Sequence, residues 1–264
     1  MKTNKHNEVL KLFTEERHDQ IFNIIRSQKS VSVNELSKTL FVSAATIRRD
    51  LREMEKTGLI KRSHGGAILF ESFNDEFSSS VRELEHTKEK KRIAELAVGF
   101  IKSNSVIFMD SSSTAGMLIP FLSQFKYLTV ITNGLKNSQQ LAEKTDAKIY
   151  FPCGAVNPRS NSVVGSDTVE YISRLYADIA VISCTGINLN NGITDASFEQ
   201  SNLKRAMLKN AKRRILLCDS SKFDLTYMCR TCGLDGIDYI ITDKMPKEEY
   251  IKKAAENNCK IIFD

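Results

Sequence analysis

The sequence predicts an α/β domain with a mostly parallel sheet, preceded by a small helical module of different charge. Three observations carry this. After residue 105, seven short apolar runs follow one another: SVIFMD, LTVITN, KIYFPCG, ADIAVISC, RRILLCD, DYIITD and CKIIFD. Amphipathic segments such as TAGMLIPFLSQF, SQQLAEKT, EQSNLKRAMLKNA and EEYIKKAAENN lie between most of them. Strands alternating with helices imply a mostly parallel sheet covered on both faces. Finally, residues 1–70 hold 13 Lys and Arg against 8 Asp and Glu, a net +5 of the chain's +6. The remaining 194 residues are nearly neutral.

Composition narrows the class further. With 264 residues, 41% hydrophobic and 27% charged, the chain is long enough to bury a core and too apolar to be disordered. No apolar run approaches the ~20 residues of a membrane helix. The start, MKTNKHNEVLKLF, has early lysines but no apolar signal core and no small-residue cleavage site. The expected compartment is therefore the cytosol, with no membrane partner. Of six cysteines, Cys184 and Cys218 fall in apolar β-like runs, as small buried hydrophobes do. The one CxxC, Cys229 to Cys232, has no second CxxC and no His nearby, so neither a metal site nor a cofactor is read from it.

In the basic module, RHDQIFNIIRSQ places Ile21, Ile24 and Ile25 on one helical face. VNELSKTL offers Leu36 and Leu40 at i, i+4. After the break FVS, Ser43 stands where an N-cap belongs, Ile47, Leu51 and Met54 follow at i, i+4, i+7, and Gly58 suits the helix end. At 100° per residue, with Ile47 at 0°, Arg48 falls at about 100°, Arg52 at about 140°, Ala45 at about 160° and Arg49 at about 200°. Away from the core this helix carries three guanidiniums around one small residue. Such a face suits a major groove, where Arg reads guanine edges or grips phosphate. Ser43 and Thr46, in the first turn, suit phosphate, because helix N-termini attract anions. The bland reading is that Ser43 only caps and the arginines pair with Asp50, Glu53 and Glu55. Next, LIKRSHGGAILF reads as a hairpin turning at Gly65-Gly66, with Lys61, Arg62 and His64 just before the turn. A hairpin after a helix-turn-helix is a wing.

These stretches, RHDQIFNII and then SVSVNELSKTLFVSAATIRRDLREMEKTGLIKRSHGGA, resemble the winged helix-turn-helix of the DeoR family of bacterial transcription regulators. The resemblance covers 14–69 and rests on SAATIRRDL and KRSHGGA. It implies Ser43, Thr46, Arg48 and Arg49 as DNA contacts. Ala45, Arg52, Lys61, Arg62 and His64 join them from the helix face and the wing. Residues 70–92 are polar and read as a linker running into a helix that ends near Phe100. Its KEKKR run reads as a solvated face rather than a DNA contact.

Ligands of parallel sheets sit at the carboxyl ends of the strands. Polar residues gather at five such ends. Asp110, Ser111, Ser112, Ser113 and Thr114 occupy a strand-to-helix turn whose hydroxyls and N–H groups suit a phosphate. Asp110 itself repels phosphate, so it fixes the loop or takes sugar hydroxyls. Thr132, Asn133 and Gly134 form the second cluster. Gly154 and Arg159 belong to the third, with Arg159 as a possible anion clamp. Asp195 and Glu199 belong to the fourth. Asp219, Ser220, Ser221 and Lys222 form the fifth, where a lysine beside two serines suits a phosphate or an open-chain sugar.

Taken in order, DSSST, TNG, CGAVNPRS, VVG, NGITD, the Glu199 helix and DSSKF resemble the sensor domain of the DeoR family, expected over 93–264. That domain is similar to ribose-5-phosphate isomerase, with a Rossmann-like sheet, and in the family responds to phosphorylated sugars. The resemblance implies that Asp110 to Thr114, Thr132, Asn133, Gly134, Glu199 and Lys222 line an effector site. Two positions depart from the family pattern: Ser112 stands where many relatives carry Gly, and Cys153-Gly154 where many carry Gly-Gly.

The leading expectation is a repressor that binds double-stranded operator DNA under control of a phosphorylated sugar, with no catalytic residues and no cofactor. Helix-turn-helix readers bind paired half-sites, so a homodimer or homotetramer is expected. Two other classes stand beside it. An aldose–ketose isomerase with a DNA-binding arm would use Asp110, Asp195 or Glu199 as base and Lys222 to stabilise an enediolate. A nucleoid or scaffold protein would leave the polar strand ends unexplained.

Overall fold

The computed structural model describes residues 30–56, 60–63, 65–69 and 79–264, with isolated residues between 14 and 28. The chain forms two compact units, Met1–Ser72 and Phe73–Asp264.

In the first unit, the described residues between 17 and 28 are helical, with Ile21 and Ile25 fully buried and Ile24 half-buried. A strand β1 (Ser30–Ser32) follows, then helices Val33–Leu40 and Ala44–Lys56. Ser32 caps the first of these, its Oγ accepting from Glu35 N at 3.1 Å. That helix stops at Phe41, whose left-handed φ of 55° ends the helical run. The second helix buries Ile47, Leu51 and Met54, as their spacing requires. Strands β2 (Ile60–Ser63) and β3 (Gly66–Leu69) form the expected hairpin. Ser63 stands opposite Gly66, so the turn is two residues long, and Gly65 holds φ +92° there. Gly66 is glycine for another reason: a Cβ on it would lie 2.2 Å from Val31 O of β1. β1 pairs with β3, giving the order β1-β3-β2. With one apolar residue in three, β1 left no pattern to read. Gly58 and His64 lie outside the described residues.

In the second unit, all seven apolar runs are strands: β4 (Val106–Met109), β5 (Thr129–Thr132), β6 (Lys148–Tyr150), β9 (Ala177–Ser183), β12 (Ala211–Leu217), β14 (Tyr239–Ile241) and β15 (Lys260–Ile262). They form one parallel sheet in the order β15-β14-β12-β9-β4-β5-β6. The period of two sends Leu216 to one face and Ile215 and Leu217 to the other. Helices Phe198–Lys209 and Glu248–Glu256 cover the first face. Helices Thr87–Ala97, Ile119–Leu122 and Leu135–Lys144 cover the second. The smaller pairings are β7 (Ala155–Asn157) with β8 (Ser162–Val164), and β10 (Gly186–Asn188) with β11 (Gly192–Asp195) and β13 (Cys229–Cys232).

Two expectations are refined here. On β13 the register shifts at Thr231, so Cys229 stands opposite Asp195 and Cys232 opposite Ile193, both as free thiols. The KEKKR run is not simply a solvated face: Lys90 is buried, on the same stripe as Ile93, Ala94 and Ala97. The strand ends of β4, β5, β9 and β12 lie side by side, so Asp110, Asn133, Cys184 and Asp219 leave the sheet at one edge.

Candidate functional site

The DNA-facing candidates come first. Ser43 caps its helix, its Oγ accepting from Thr46 N at 3.1 Å and lying 2.9 Å from Thr46 Oγ1. Arg48, Arg49 and Arg52 are exposed, as is Ala45 between them. The plain alternative pairs these arginines with the helix's own acids, but two of the three, Asp50 and Glu55, are engaged elsewhere. Asp50 is fully buried and takes a two-pronged contact from Arg17, at 2.6 and 3.0 Å. Glu55 accepts Arg62 N at 2.9 Å and faces its guanidinium at 3.6 Å. Among the described residues, Arg48, Arg49 and Arg52 make no hydrogen bond or ion pair. The sequence supplies the acids, and the fold spends these two on anchoring the helix and the wing. Lys61 and Arg62 are exposed on β2, with Arg62 held by Glu55. His18, Asp50 and Glu53 also come together as possible metal donors, but Arg17 already occupies Asp50.

At the sheet's carboxyl edge, Asp110 is buried and makes three hydrogen bonds. Oδ1 accepts Ser112 N at 3.1 Å and Ser112 Oγ at 2.5 Å; Oδ2 accepts Ser183 N at 2.9 Å. It fixes the loop, with three acceptor positions taken by Ser112 and Ser183. Ser112 passes the order on, its Oγ accepting Ala115 N at 3.1 Å. Asp195 is equally engaged: Lys204 Nζ donates to Oδ1 at 2.6 Å and Thr231 Oγ1 to Oδ2 at 2.7 Å. Lys204 Nζ also lies 3.7 Å from Asp110 Oδ2, so one buried ammonium links both loops. Gln200, one turn earlier on the same helix, donates Nε2 to Ser162 Oγ at 2.7 Å and accepts Ser111 Oγ at 3.3 Å. Thr132 Oγ1 accepts Gly134 N at 3.2 Å. A Cβ on Gly134 would lie 3.0 Å from Ser111 Cα, so this glycine lets the first two loops touch. Asn133 is fully buried; Nδ2 donates to Val163 O at 3.0 Å, and Oδ1 has no hydrogen-bond partner among the described residues.

The cationic part of the edge is built by Lys222 and Lys90. Lys222 Nζ donates to Ser183 Oγ at 3.0 Å and lies 3.3 Å from Asp219 Oδ2. Burial opposes its charge, but the Asp219 carboxylate outweighs that and holds Lys222 above its ordinary pKa. Burial likewise works against Asp219, and Lys222, the Ser221 hydroxyl, His86 and Lys90 overcome it, drawing the carboxyl down to about 2. Burial first, and then Lys222, push Lys90 down to about 8. Lys90 Nζ donates to the carbonyls of Arg82 and, at 2.6 Å, of Glu85. Lys222 is thus paired with a carboxylate, whereas Lys90 is held by carbonyl oxygens and makes no ion pair among the described residues.

Three expected residues stand apart from this cluster. Glu199 is exposed, bonded to Ser197 Oγ at 3.0 Å, and lines a separate groove of about 630 Å³ between helices Ser166–Ser173 and Phe198–Lys209. Ser197 caps that helix, on which Gln200, not Glu199, is buried. Arg159 is exposed, and its carbonyl accepts Ser79 N at 2.8 Å. Gly154, at φ +146°, answers a packing need: a Cβ would lie 2.2 Å from Thr168 Oγ1. Lys90, Gln200 and Lys204 were missed from the sequence, although each is a polar residue on the buried stripe of its helix.

The chain matches the DeoR C terminal sensor domain over residues 85–244 and the DeoR-like helix-turn-helix domain over residues 17–73. It belongs to the DeoR family. It is 32% identical to the HTH-type transcriptional regulator GolR of Listeria innocua, over 93% of this chain and 96% of that one. It is 29% identical to the glycerol-3-phosphate regulon repressor of Escherichia coli, over 93% and 97%. This DeoR-family chain is thus a DNA-binding transcription regulator and not an enzyme. A solved D-ribose-5-phosphate isomerase in complex with phospho-erythronic acid is similar over 52% of this chain and 54% of that one, with 16% identity and a TM-score of 0.39, a likeness too slight to bear on function. Among the described residues, no helix is long and apolar enough to cross a membrane.

Proposed function

We propose that this regulator is a cytoplasmic repressor of a carbohydrate operon, acting as a homodimer or homotetramer on paired operator half-sites, and that a phosphorylated sugar controls its grip on DNA. Arg48, Arg49 and Arg52 enter the major groove, with Ser43, Ala45 and Thr46 at the helix start and Lys61, Arg62 and His64 on the wing. The sugar phosphate binds at the carboxyl ends of β4, β5, β9 and β12. There the hydroxyls of Ser111, Ser113 and Thr114, the backbone at Gly134, Asn133 Oδ1 and Lys222 meet it, with Lys90 added from the preceding helix.

The observation that carries the effector reading is the charge balance: Lys222 is paired with Asp219, Lys90 is bonded to carbonyl oxygens with no ion pair among the described residues, and Asp110 is committed to its own loop. An anion pairs with such a cation, and one negative group in a low-dielectric edge is worth more there than in water. The name of the glycerol-3-phosphate regulon repressor supports the repressor sense and a link to the metabolism of a small phosphate ester. A ligand shifts the DNA-bound population only by its differential affinity for the two states. The test is a thermal-shift screen of sugar phosphates against the full chain, followed by a gel-shift assay on the promoter of its neighbouring operon. An ester that raises the melting temperature and changes the gel shift supports the reading. Stabilisation by none of them, with unaltered DNA binding, overturns it.

A further inference from the structure

The helix Ser79–Leu84 meets the first of the loops just described, where Ser113 Oγ bonds the Arg82 carbonyl. Its Ser79 and Glu83 line a cleft together with Ser111, Ser113, Gly134, Lys136 and three further residues of the neighbouring loops and helix, leaving about 10 Å³ free. That is room for about one water and far too little for a sugar phosphate. Four of the contacts that hold the helix share one chemistry. Glu83 places its carboxylate on Lys136. The Arg82 carbonyl takes Ser113 Oγ at 3.0 Å from one side and Lys90 Nζ from the other. The Glu85 carbonyl, just past the helix, takes Lys90 Nζ at 2.6 Å. In these four contacts the acceptor is an oxygen of the helix or its end and the donor is a lysine or serine of the neighbouring elements; one contact runs the other way, Ser79 N donating to the Arg159 carbonyl at 2.8 Å.

We infer that the segment Ser79–Glu85 is an internal stand-in for the anion: it fills the effector cleft with its own oxygens, and a phosphate ester binds Ser113, Lys136 and Lys90 by displacing it. The inference rests on the effector reading above and deepens it. Glu83 mimics the charge of the ligand, and the carbonyls of Arg82 and Glu85 mimic its neutral oxygens. The segment begins seven residues after Ser72, the last residue of the DNA-binding unit, so its release is felt first in the connection to the reading head. The coupling then follows from competition for shared donors, which gives the ligand a differential affinity for the two states. Val81, fully buried beneath the helix, supplies the apolar resistance that the ligand overcomes.

The two ends of the Glu83–Lys136 pair allow a discriminating experiment. Glu83→Gln removes the competitor and leaves the donor; Lys136→Met removes the donor. Calorimetric titration of the full chain with inorganic phosphate and with sugar phosphates is expected to show tighter binding for Glu83→Gln, by about fivefold or more, and weaker binding for Lys136→Met by a similar factor. A pair that only props the fold moves both variants the same way. Hydrogen exchange supplies the second readout: phosphate is expected to speed exchange at amides 79–85 and slow it at 111–117, whereas chloride at equal ionic strength does neither. Binding with protection at 111–117 but unchanged or slower exchange at 79–85, or with both variants shifted in one direction, overturns the inference and leaves the effector site standing. Absence of any binding by wild type and Glu83→Gln overturns both.

Discussion

Replacing Lys204 with methionine tests how the sensor unit is held together. Its ammonium lies 2.6 Å from Asp195 Oδ1 and 3.7 Å from Asp110 Oδ2, and all three side chains are at least nine-tenths buried. The methionine fills the same space and leaves two carboxylates facing each other without a counter-charge. Breaking a buried pair costs about 3–5 kcal/mol. The lower end applies here, because Asp110 keeps its bonds from Ser112 and Ser183, and Asp195 keeps Thr231. For a unit of this size ~1 kcal/mol is about 2–4 °C in melting temperature, so the second unit is expected to melt about 6–12 °C lower. Lys212→Met is the matched control: its pair with Asp178, at 2.9 Å, is exposed on the surface and worth less than about 1 kcal/mol. Calorimetric melting of the full chain reads both. A Lys204→Met transition no lower than that of Lys212→Met refutes the claim that this ammonium ties the two loops together.

Other expectations follow from the same geometry. Arg48→Ala or Arg49→Ala is expected to weaken operator binding by about 1–3 kcal/mol if the residue reads a base; a gel-shift titration unchanged in both removes them from the interface. Asp219 sits at about 2 when folded against an ordinary 3.8, so its carboxylate stabilises the fold by about 2 kcal/mol above pH 4, and that contribution fades as pH falls towards 2. Asp219→Asn should accordingly be less stable than wild type at pH 7 and equal to it near pH 2; a gap independent of pH contradicts this. Gly154→Ala meets both a φ of +146° and a 2.2 Å approach to Thr168 Oγ1, so a loss of more than about 1 kcal/mol is expected in urea denaturation.

Much of this was legible in the residues because the governing patterns are local. Each strand of the seven-stranded sheet is a short apolar run, and SAATIRRDL carries its own cap, apolar stripe and basic face. What escaped was set by tertiary contact. β1 exists because β3 offers it a partner, and only Gly66 records that approach in the sequence. Glu199 and Gln200 are adjacent and both polar; with Ser197 capping the helix, Gln200 is buried against Ser162 and Glu199 is exposed, a difference set by helix phase against the sheet. Lys90 looked like one more charge in KEKKR, although its spacing to Ile93, Ala94 and Ala97 put it on the buried stripe. The fate of Asp50 and Glu55 depended on Arg17 and Arg62, which are distant along the chain or across a turn.

Fluorescence-anisotropy titration of the operator with the full chain, with and without each sugar phosphate, tests the proposed link between the two units most directly. One ester is expected to change operator affinity about 5- to 150-fold, its unphosphorylated parent to do nothing, and Lys222→Met to abolish the response while binding DNA normally. Equal operator affinity in the presence of every ester, or a Lys222→Met chain that responds as wild type does, contradicts it.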